Sequence, residues 1–208
     1  MKPDYHELYL MADPLATQPV RLEPTDEAKL DRNAAVGLLR GEIIPQQPIR
    51  LRRAMGARFT DLLWSSFTPI LVISQRLTDI FYHDGLTGWE IYAVEVIDKD
   101  GHLQPHYNGF AITGRAGRHD LERVEVMERP PITPRGISYT VLKGIYFEVD
   151  MWTANDFCLM EKNISCIVTE KVVRAFRRAR IRNVRFTELT QVEISASVYE
   201  VRGMWPPK

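Results

Sequence analysis

The stretch from Asn163 to Thr187 constrains the fold most. Here an apolar run, a hydroxyl residue, a basic helical segment and a second apolar run follow one another without interruption. This order predicts a strand, a helix and a strand. A similar order occurs 95 positions earlier, from Thr68 to Tyr92, and the two stretches align without a gap. The sequence therefore predicts two similar strand-helix-strand units.

Aligned positions in the two stretches keep their physical roles. Ser74 and Thr169 each follow an apolar run and carry a hydroxyl that can cap the first free amides of a helix. The apolar side chains that follow fall on one side of each helix. The matching pairs are Asp61/Asp156, Val72/Ile167, Ile73/Val168, Arg76/Lys171, Leu77/Val172, Phe81/Phe176, Leu86/Ile181 and Ile91/Phe186. Chance similarity is the alternative, since short periodic patterns recur easily.

Further strands are predicted on both sides of these units. Alternating or aromatic segments indicate them at Tyr5–Leu10, Trp89–Ile97, Tyr107–Thr113, Leu121–Met127 and Val192–Val201. A helix is predicted to start near Thr25, and residues 41–56 are predicted to be an exposed loop or edge segment. Together these segments predict a β-rich α+β fold. Residues 1–208 would form one domain, with a pseudo-repeat at 59–97 and 154–192 packed on an antiparallel or mixed sheet.

Charge and composition restrict the class of protein. The 208 residues include 27 basic and 27 acidic residues, so no net field attracts nucleic acid or a membrane. Acidic residues interrupt the amino-terminal segment and no later apolar run reaches membrane length, so we expect a soluble, cytoplasmic protein. Cys158 and Cys166 lack metal-ligand spacing, and we expect them to be small core residues kept reduced in the cytosol.

The sequence contains no familiar catalytic motif. Gly-rich phosphate loops, nucleophile elbows and zinc-ligand spacings are all missing, so we predict no enzyme activity, no cofactor and no metal. His102 and His106 lie four apart, but Pro105 intervenes, which favours a solvated hairpin over a metal site. Asp61 and Asp156 could form a carboxylate pair, although a turn or capping role is favoured.

One local charge anomaly marks the second unit, where seven basic residues occur without an acid between them. Only the first of them has a basic counterpart in the first unit, Arg76, so the fold does not require the others. On a helical wheel Lys171, Arg174 and Arg178 form a stripe that should face solvent. The seven residues are Lys171, Arg174, Arg177, Arg178, Arg180, Arg182 and Arg185.

Two interpretations of these basic residues remain open. They form either an ordinary solvated face or a surface that binds an acidic protein or a phosphate backbone. An exposed aromatic residue near Trp89 or Trp152 is an equal candidate for binding a partner. The predicted partner-binding residues are Lys171, Arg174, Arg177, Arg178 and Arg182.

The chain resembles the myxobacterial-type immunity proteins of bacterial polymorphic toxin systems, a family formerly catalogued as a domain of unknown function. The resemblance spans most of the chain and rests on apolar, structural motifs. The sequence departs from the family pattern just before Asp156, where Ala154-Asn155 stands in place of an expected glycine. The matching segments are Tyr5–Leu10, Asp61–Leu63, Leu71–Leu77, Trp152–Phe157, Ile167–Val172 and Val184–Phe186.

The resemblance implies a non-catalytic protein that binds and neutralises a cognate toxin, with no catalytic residues to transfer. An uncharacterised enzyme or small-ligand-binding domain is the alternative. A nucleic-acid-binding module acting through the basic helix at 170–185 is a third possibility, disfavoured because the overall charge is zero and only Phe176 interleaves the basic run. The sequence does not specify the oligomeric state.

Overall fold

The structure, a computed structural model, describes residues 3–28, 30–66, 69–131, 133–161 and 163–200. Some predicted segments extend beyond these residues. Thr68, at the start of the first predicted unit, and Val201, at the end of the last predicted strand, lie outside them.

The chain is β-rich with few helices, so the predicted α+β class is confirmed. The strands are β1 (Leu8–Ala12), β2 (Arg21–Pro24), β3 (Ile49–Met55), β4 (Leu62–Ser65), β5 (Leu71–Ser74), β6 (Trp89–Ile97), β7 (Leu103–Gln104), β8 (Tyr107–Ile112), β9 (Gly114–Ala116), β10 (Glu125–Arg129), β11 (Tyr139–Lys143), β12 (Phe157–Met160), β13 (Cys166–Thr169), β14 (Arg185–Glu188) and β15 (Glu193–Ser195). The helices are α1 (Arg32–Leu39), α2 (Gln75–His83), α3 (Glu170–Arg178) and α4 (Ala196–Glu200). In the described part of the chain, no helix is both long enough and apolar enough to cross a membrane.

Six strands close into a barrel-like sheet in the order β3-β2-β4-β5-β8-β6, and a pairing between β3 and β6 completes the ring. The prediction of an exposed loop or edge at 41–56 is therefore wrong for its second half. Leu51 is fully buried while Arg50 and Arg52 point outward and pair with Glu95 and Glu23. This alternation is typical of a strand with one buried face, and the clustered arginines concealed it.

A second sheet has the strand order β14-β1-β13-β12-β9, and a third, small sheet has the order β10-β11-β15. The predicted final strand at Val192–Val201 is wrong beyond Ser195, because the chain turns into α4. Ala196 and Tyr199 bury their side chains beside Leu142 of β11. Their spacing of three follows a helix and not a strand, so tertiary packing decides the conformation here.

The first two sheets share an arrangement of five strands. The order β2-β4-β5-β8-β6 and the order β9-β12-β13-β1-β14 each contain one parallel pair followed by three antiparallel pairs. The registers also correspond: Leu63 lies opposite Val72 between β4 and β5, and Cys158 lies opposite Ile167 between β12 and β13. In both sheets a nine-residue helix follows the third strand directly.

Helices α2 and α3 contact each other through two stacked phenyl rings. Phe81 and Phe176 have ring centroids 5.8 Å apart and an interplanar angle of 29°. Both side chains are buried, at 1% and 2% exposure, and Phe157 and Phe110 contact Phe81 from the two sheets. The main core therefore lies where both sheets meet the helix pair.

The helix starts differ in one respect from the prediction. Ser74 caps α2 as predicted, since its Oγ accepts a hydrogen bond of 3.2 Å from the amide of Leu77. Thr169 makes no such bond, because its hydroxyl donates instead to Asp156, at 2.7 Å. The predicted capping by Thr169 is therefore wrong, and its hydroxyl holds a carboxylate in place.

Two glycines between α2 and β6 provide a matched test of this packing. Gly85 (φ +58°) and Gly88 (φ +83°) both have the left-handed conformation, but a Cβ on Gly85 would meet nothing within 4 Å, whereas one on Gly88 would lie 2.3 Å from the carbonyl oxygen of Phe157. We expect Gly85→Ala to lower the free energy of unfolding by about 1 kcal/mol and Gly88→Ala by about 3 kcal/mol or more. Urea denaturation would measure both, and equal losses would contradict the close contact between the sheets.

The attachment of α4 should depend on pH through His119. Its Nδ1 lies 2.7 Å from the hydroxyl of Tyr199, and burial lowers the pKa of His119 to about 4, although Asp120 opposes the shift. Because this pKa lies below the ordinary value of 6.5, the folded state favours the neutral ring. Stability contributed by His119 is full above pH 6.5 and falls by up to about 3 kcal/mol between pH 6.5 and 4.

Denaturation measured at several pH values would test this dependence. His119→Gln removes the titration and should flatten the profile between pH 6.5 and 4 relative to the native chain. Identical pH profiles for the two proteins would show that His119 does not control stability.

Candidate partner-binding site

The exposed face of α3 and Asp84, just after α2, border a cleft of about 720 Å³. The predicted stripe of Lys171, Arg174 and Arg178 lines this cleft, and so do Asp4 and Glu7 from the segment before β1. The structure thus brings three of the five predicted residues to one site. Trp152, near which the sequence predicts an exposed aromatic residue that binds a partner, lines the same cleft.

Each cation of the stripe is paired with an acid. Lys171 Nζ lies 3.6 Å from Asp156 Oδ2, and Arg174 Nη2 lies 2.7 Å from Glu170 Oε2. Arg178 bonds to Asp84, at the carboxyl end of α2. The stripe is exposed, as the helical wheel predicts, but it does not consist of free positive charge. This pairing weakens the interpretation of the stripe as a simple anion-binding surface.

The remaining arginines of the second unit are less constrained. Arg177 and Arg182, the other two predicted residues, are exposed, as are Arg180 and Arg185. Within the described residues none of these four has a carboxylate partner. They lie at the end of α3 and on the way into β14, outside the lining of the cleft.

Two carboxylates at the base of the cleft are held firmly. Asp156, 12% exposed, accepts bonds at Oδ2 from the amide and hydroxyl of Thr87 (2.9 and 3.1 Å) and at Oδ1 from the hydroxyl of Thr169. Hydrogen bonds from His83 and then Arg178 lower the pKa of Asp84. Asp84 is therefore ionised at neutral pH, and Asp156 has both oxygens occupied by neighbouring groups.

Lys171 also has a structural role that is mirrored in the first unit. Its Nζ donates to the carbonyl oxygen of Gly85, just after α2, at 2.8 Å. Arg76 makes the corresponding contacts from the first unit. It pairs with Asp61 and donates to the carbonyl oxygen of Ala179, just after α3, at 2.6 Å. Positive charge at the carboxyl end of a helix is favourable. Each helix end is therefore stabilised by a cation from the other helix.

An aromatic depression of about 370 Å³ adjoins the cleft. Tyr82 is 67% exposed, and its ring lies 4.9 Å from that of Trp89 in an edge-on arrangement. Trp89 Nε1 donates to the carbonyl oxygen of Leu86, so the polar group of this side chain is already bonded and its ring lines the depression. Gly85 lines the depression and accepts the bond from Lys171, so the two concave regions meet at this contact.

Sequence reasoning identified Trp89 and Trp152 as aromatic candidates but missed Tyr82 and Asp84. Tyr82 could have been found, because it follows Phe81 and projects about 100° away from the apolar stripe of α2. Asp84 could not have been found in this way. It reaches the stripe only because α2 and α3 lie side by side in the fold.

The predicted carboxylate pair and histidine pair do not form catalytic arrangements. Asp61 bonds to Ser74 and Arg76 and thus has its own ion pair, separate from that of Asp156. His102 lies in the turn before β7, where Asp98 accepts bonds from two backbone amides and its pKa is lowered mainly by the amide of His102. Asp98, Asp100 and His102 lie close together, but their contacts are those of an exposed turn.

Comparison of the sequence with protein-family models found no match, and comparison with curated proteins found none. The resemblance to immunity proteins therefore stays a prediction. Ala154, just before Asp156, has φ +56°, a conformation that favours glycine.

The two corresponding aspartates should differ in their contribution to stability. Asp156→Asn removes the charge from a buried group with four donors around it, and we expect the free energy of unfolding to fall by about 3 kcal/mol. Asp61→Asn is the matched control, because Asp61 is 25% exposed, and we expect a loss of about 1 kcal/mol. Chemical denaturation at neutral pH would measure both, and a smaller loss for Asp156→Asn would contradict its structural role.

Proposed function

We propose that this protein is a non-catalytic, cytoplasmic immunity protein that binds and neutralises a cognate bacterial toxin through the exposed face of α2 and α3. One observation carries the proposal: the aromatic depression at Tyr82 and Trp89 joins a cleft whose wall exposes Arg174 and Arg178. Tyrosine, tryptophan and arginine are the residues that most often dominate the energy of protein interfaces.

The rigidity of the face supports the same function. Its exposed side chains stand on two helices whose buried sides pack against the main core. Arg178 pairs with Asp84 and Lys171 donates to the carbonyl oxygen of Gly85, both just after α2. A surface held in place before binding loses less conformational entropy when a partner docks. This property suits tight inhibition of a toxin.

A small-ligand-binding or enzymatic function is the second candidate, favoured by the size of the cleft and by its charges of both signs. Two observations count against catalysis there. Asp156 accepts hydrogen bonds at both carboxylate oxygens. Hydrogen bonds from His83 and Arg178 lower the pKa of Asp84, so Asp84 is not available as a general acid near neutral pH.

We also propose that the two strand-helix-strand units at 59–97 and 154–192 are copies of one unit. Their shared register, their crossed helix-end contacts and their paired left-handed residues support this arrangement. Gly85 and Arg180 (φ +58° and +55°), and likewise Gly88 and Asn183 (φ +83° and +66°), are 95 positions apart. In this arrangement β1 provides the second copy with the strand that β8 provides for the first.

The proposed function is tested by co-expression with the product of the adjacent reading frame. We expect the native chain to restore the growth of cells that this product inhibits, and to co-elute with the product from a sizing column. Tyr82→Ala should weaken the complex by about tenfold or more, since it removes an exposed aromatic side chain from the centre of the face.

Ile137→Ala is the matched control, because Ile137 is 88% exposed on a loop between β10 and β11 and should leave the affinity unchanged. Failure to rescue growth together with no complex on the column would sink the immunity function. Equal effects of the two substitutions would show that the toxin binds elsewhere.

A further inference from the structure

The ion pairs of the α2–α3 face are arranged in layers. In each pair the cation is more exposed than its carboxylate: 51% for Lys171 against 12% for Asp156, and 64% for Arg178 against 11% for Asp84. Arg174 is also more exposed than its partner, at 72% against 32%. In these three pairs the carboxylate is thus the inner group and the cation is the outer one.

The outer cations keep unused hydrogen-bond donors. A guanidinium has five N–H donors, and the structure gives Arg174 one bond, to Glu170, and Arg178 one bond, to Asp84. A second carboxylate can therefore approach either arginine from outside without displacing its first partner. Because each cation is more exposed than its carboxylate, an incoming acid meets the positive group before the negative one.

The apolar part of the surface lies within reach of these cations. The aromatic depression contains Leu86 and Ile91 beside Tyr82, and Gly85 connects it to Lys171. Ile91 is 39% exposed, so the depression offers solvent-accessible apolar surface to a ligand. A ligand that fits both regions must carry an apolar side chain close to carboxylates.

From this geometry, and resting on the proposed function, we infer that the toxin presents an acidic polypeptide segment to this face. An apolar side chain of the segment enters the aromatic depression, and flanking Asp or Glu residues bond to Arg174 and Arg178. A phosphate backbone fits less well. The positive surface is limited to a few side chains, and the whole chain has no net positive charge to attract a long polyanion.

A labelled synthetic peptide provides a direct probe. The peptide has a central Phe flanked by three Asp or Glu residues on each side, and binding is followed by fluorescence anisotropy at low and at moderate salt. Two comparison peptides replace the Phe by Ala or all the acids by their amides. We expect both replacements to weaken binding at least tenfold, and added salt to weaken binding of the acidic peptides alone.

Charge reversal locates the site. Arg174→Glu should weaken binding of the acidic peptide at least tenfold, while Arg118→Glu should not, although Arg118 is an exposed arginine paired with a glutamate, like Arg174. Equal binding of the acidic and amide peptides would overturn the inference. Tighter binding of single-stranded DNA of matching charge would overturn it in favour of nucleic acid.

The same two variants separate this inference from the proposed function. A toxin complex that forms but is unaffected by salt and by Arg174→Glu would refute the acidic segment and leave the immunity function standing. Absence of any toxin complex, with the acidic peptide still bound at this face, would instead refute the immunity function.

Discussion

The contact between Phe81 and Phe176 is the one on which the rest of the structure depends. It joins the helix of one sheet to the helix of the other, and Phe157 and Phe110 extend the contact into both sheets. Neither helix is long enough to be stable in water alone, since isolated helices of about nine residues are marginal. Their mutual packing fixes the relative position of the two sheets and creates the outer face on which the candidate site lies.

Charged side chains also connect the two helices. Arg76 and Lys171 each neutralise the end of the opposite helix, so these two cations belong to the architecture. The sequence comparison already contained this distinction, because Lys171 is the one basic residue of the second unit with a basic counterpart. Arg174, Arg177 and Arg178 have no such counterpart, and the fold places them on or beside the exposed surface.

Local pattern predicted the elements well where apolar period and flanking residues agreed. Strands β6 and β8 and helix α2 lie close to their predicted positions, and the hydroxyl of Ser74 caps its helix as expected. Prediction failed where a distant contact decided the outcome. Residues 196–200 are helical because they pack on β11. Arg178 pairs with Asp84 although the two residues are 94 positions apart in the sequence, because α2 and α3 lie side by side. The site's residue types could be read from the sequence, but its cleft and its layered charges could not.

The place of β1 has a consequence for how the protein is made. This strand, near the amino terminus, lies between β13 and β14 and pairs with both. A ribosome releases β1 early, yet its two neighbours emerge only after residues 166–188 have been translated. The barrel from β2 to β8 can form on the growing chain, while the side chains of Leu8 and Met11 lack their partners until residues 166–188 have been translated. A chain interrupted before residue 166 would keep this apolar strand exposed to chaperones and proteases.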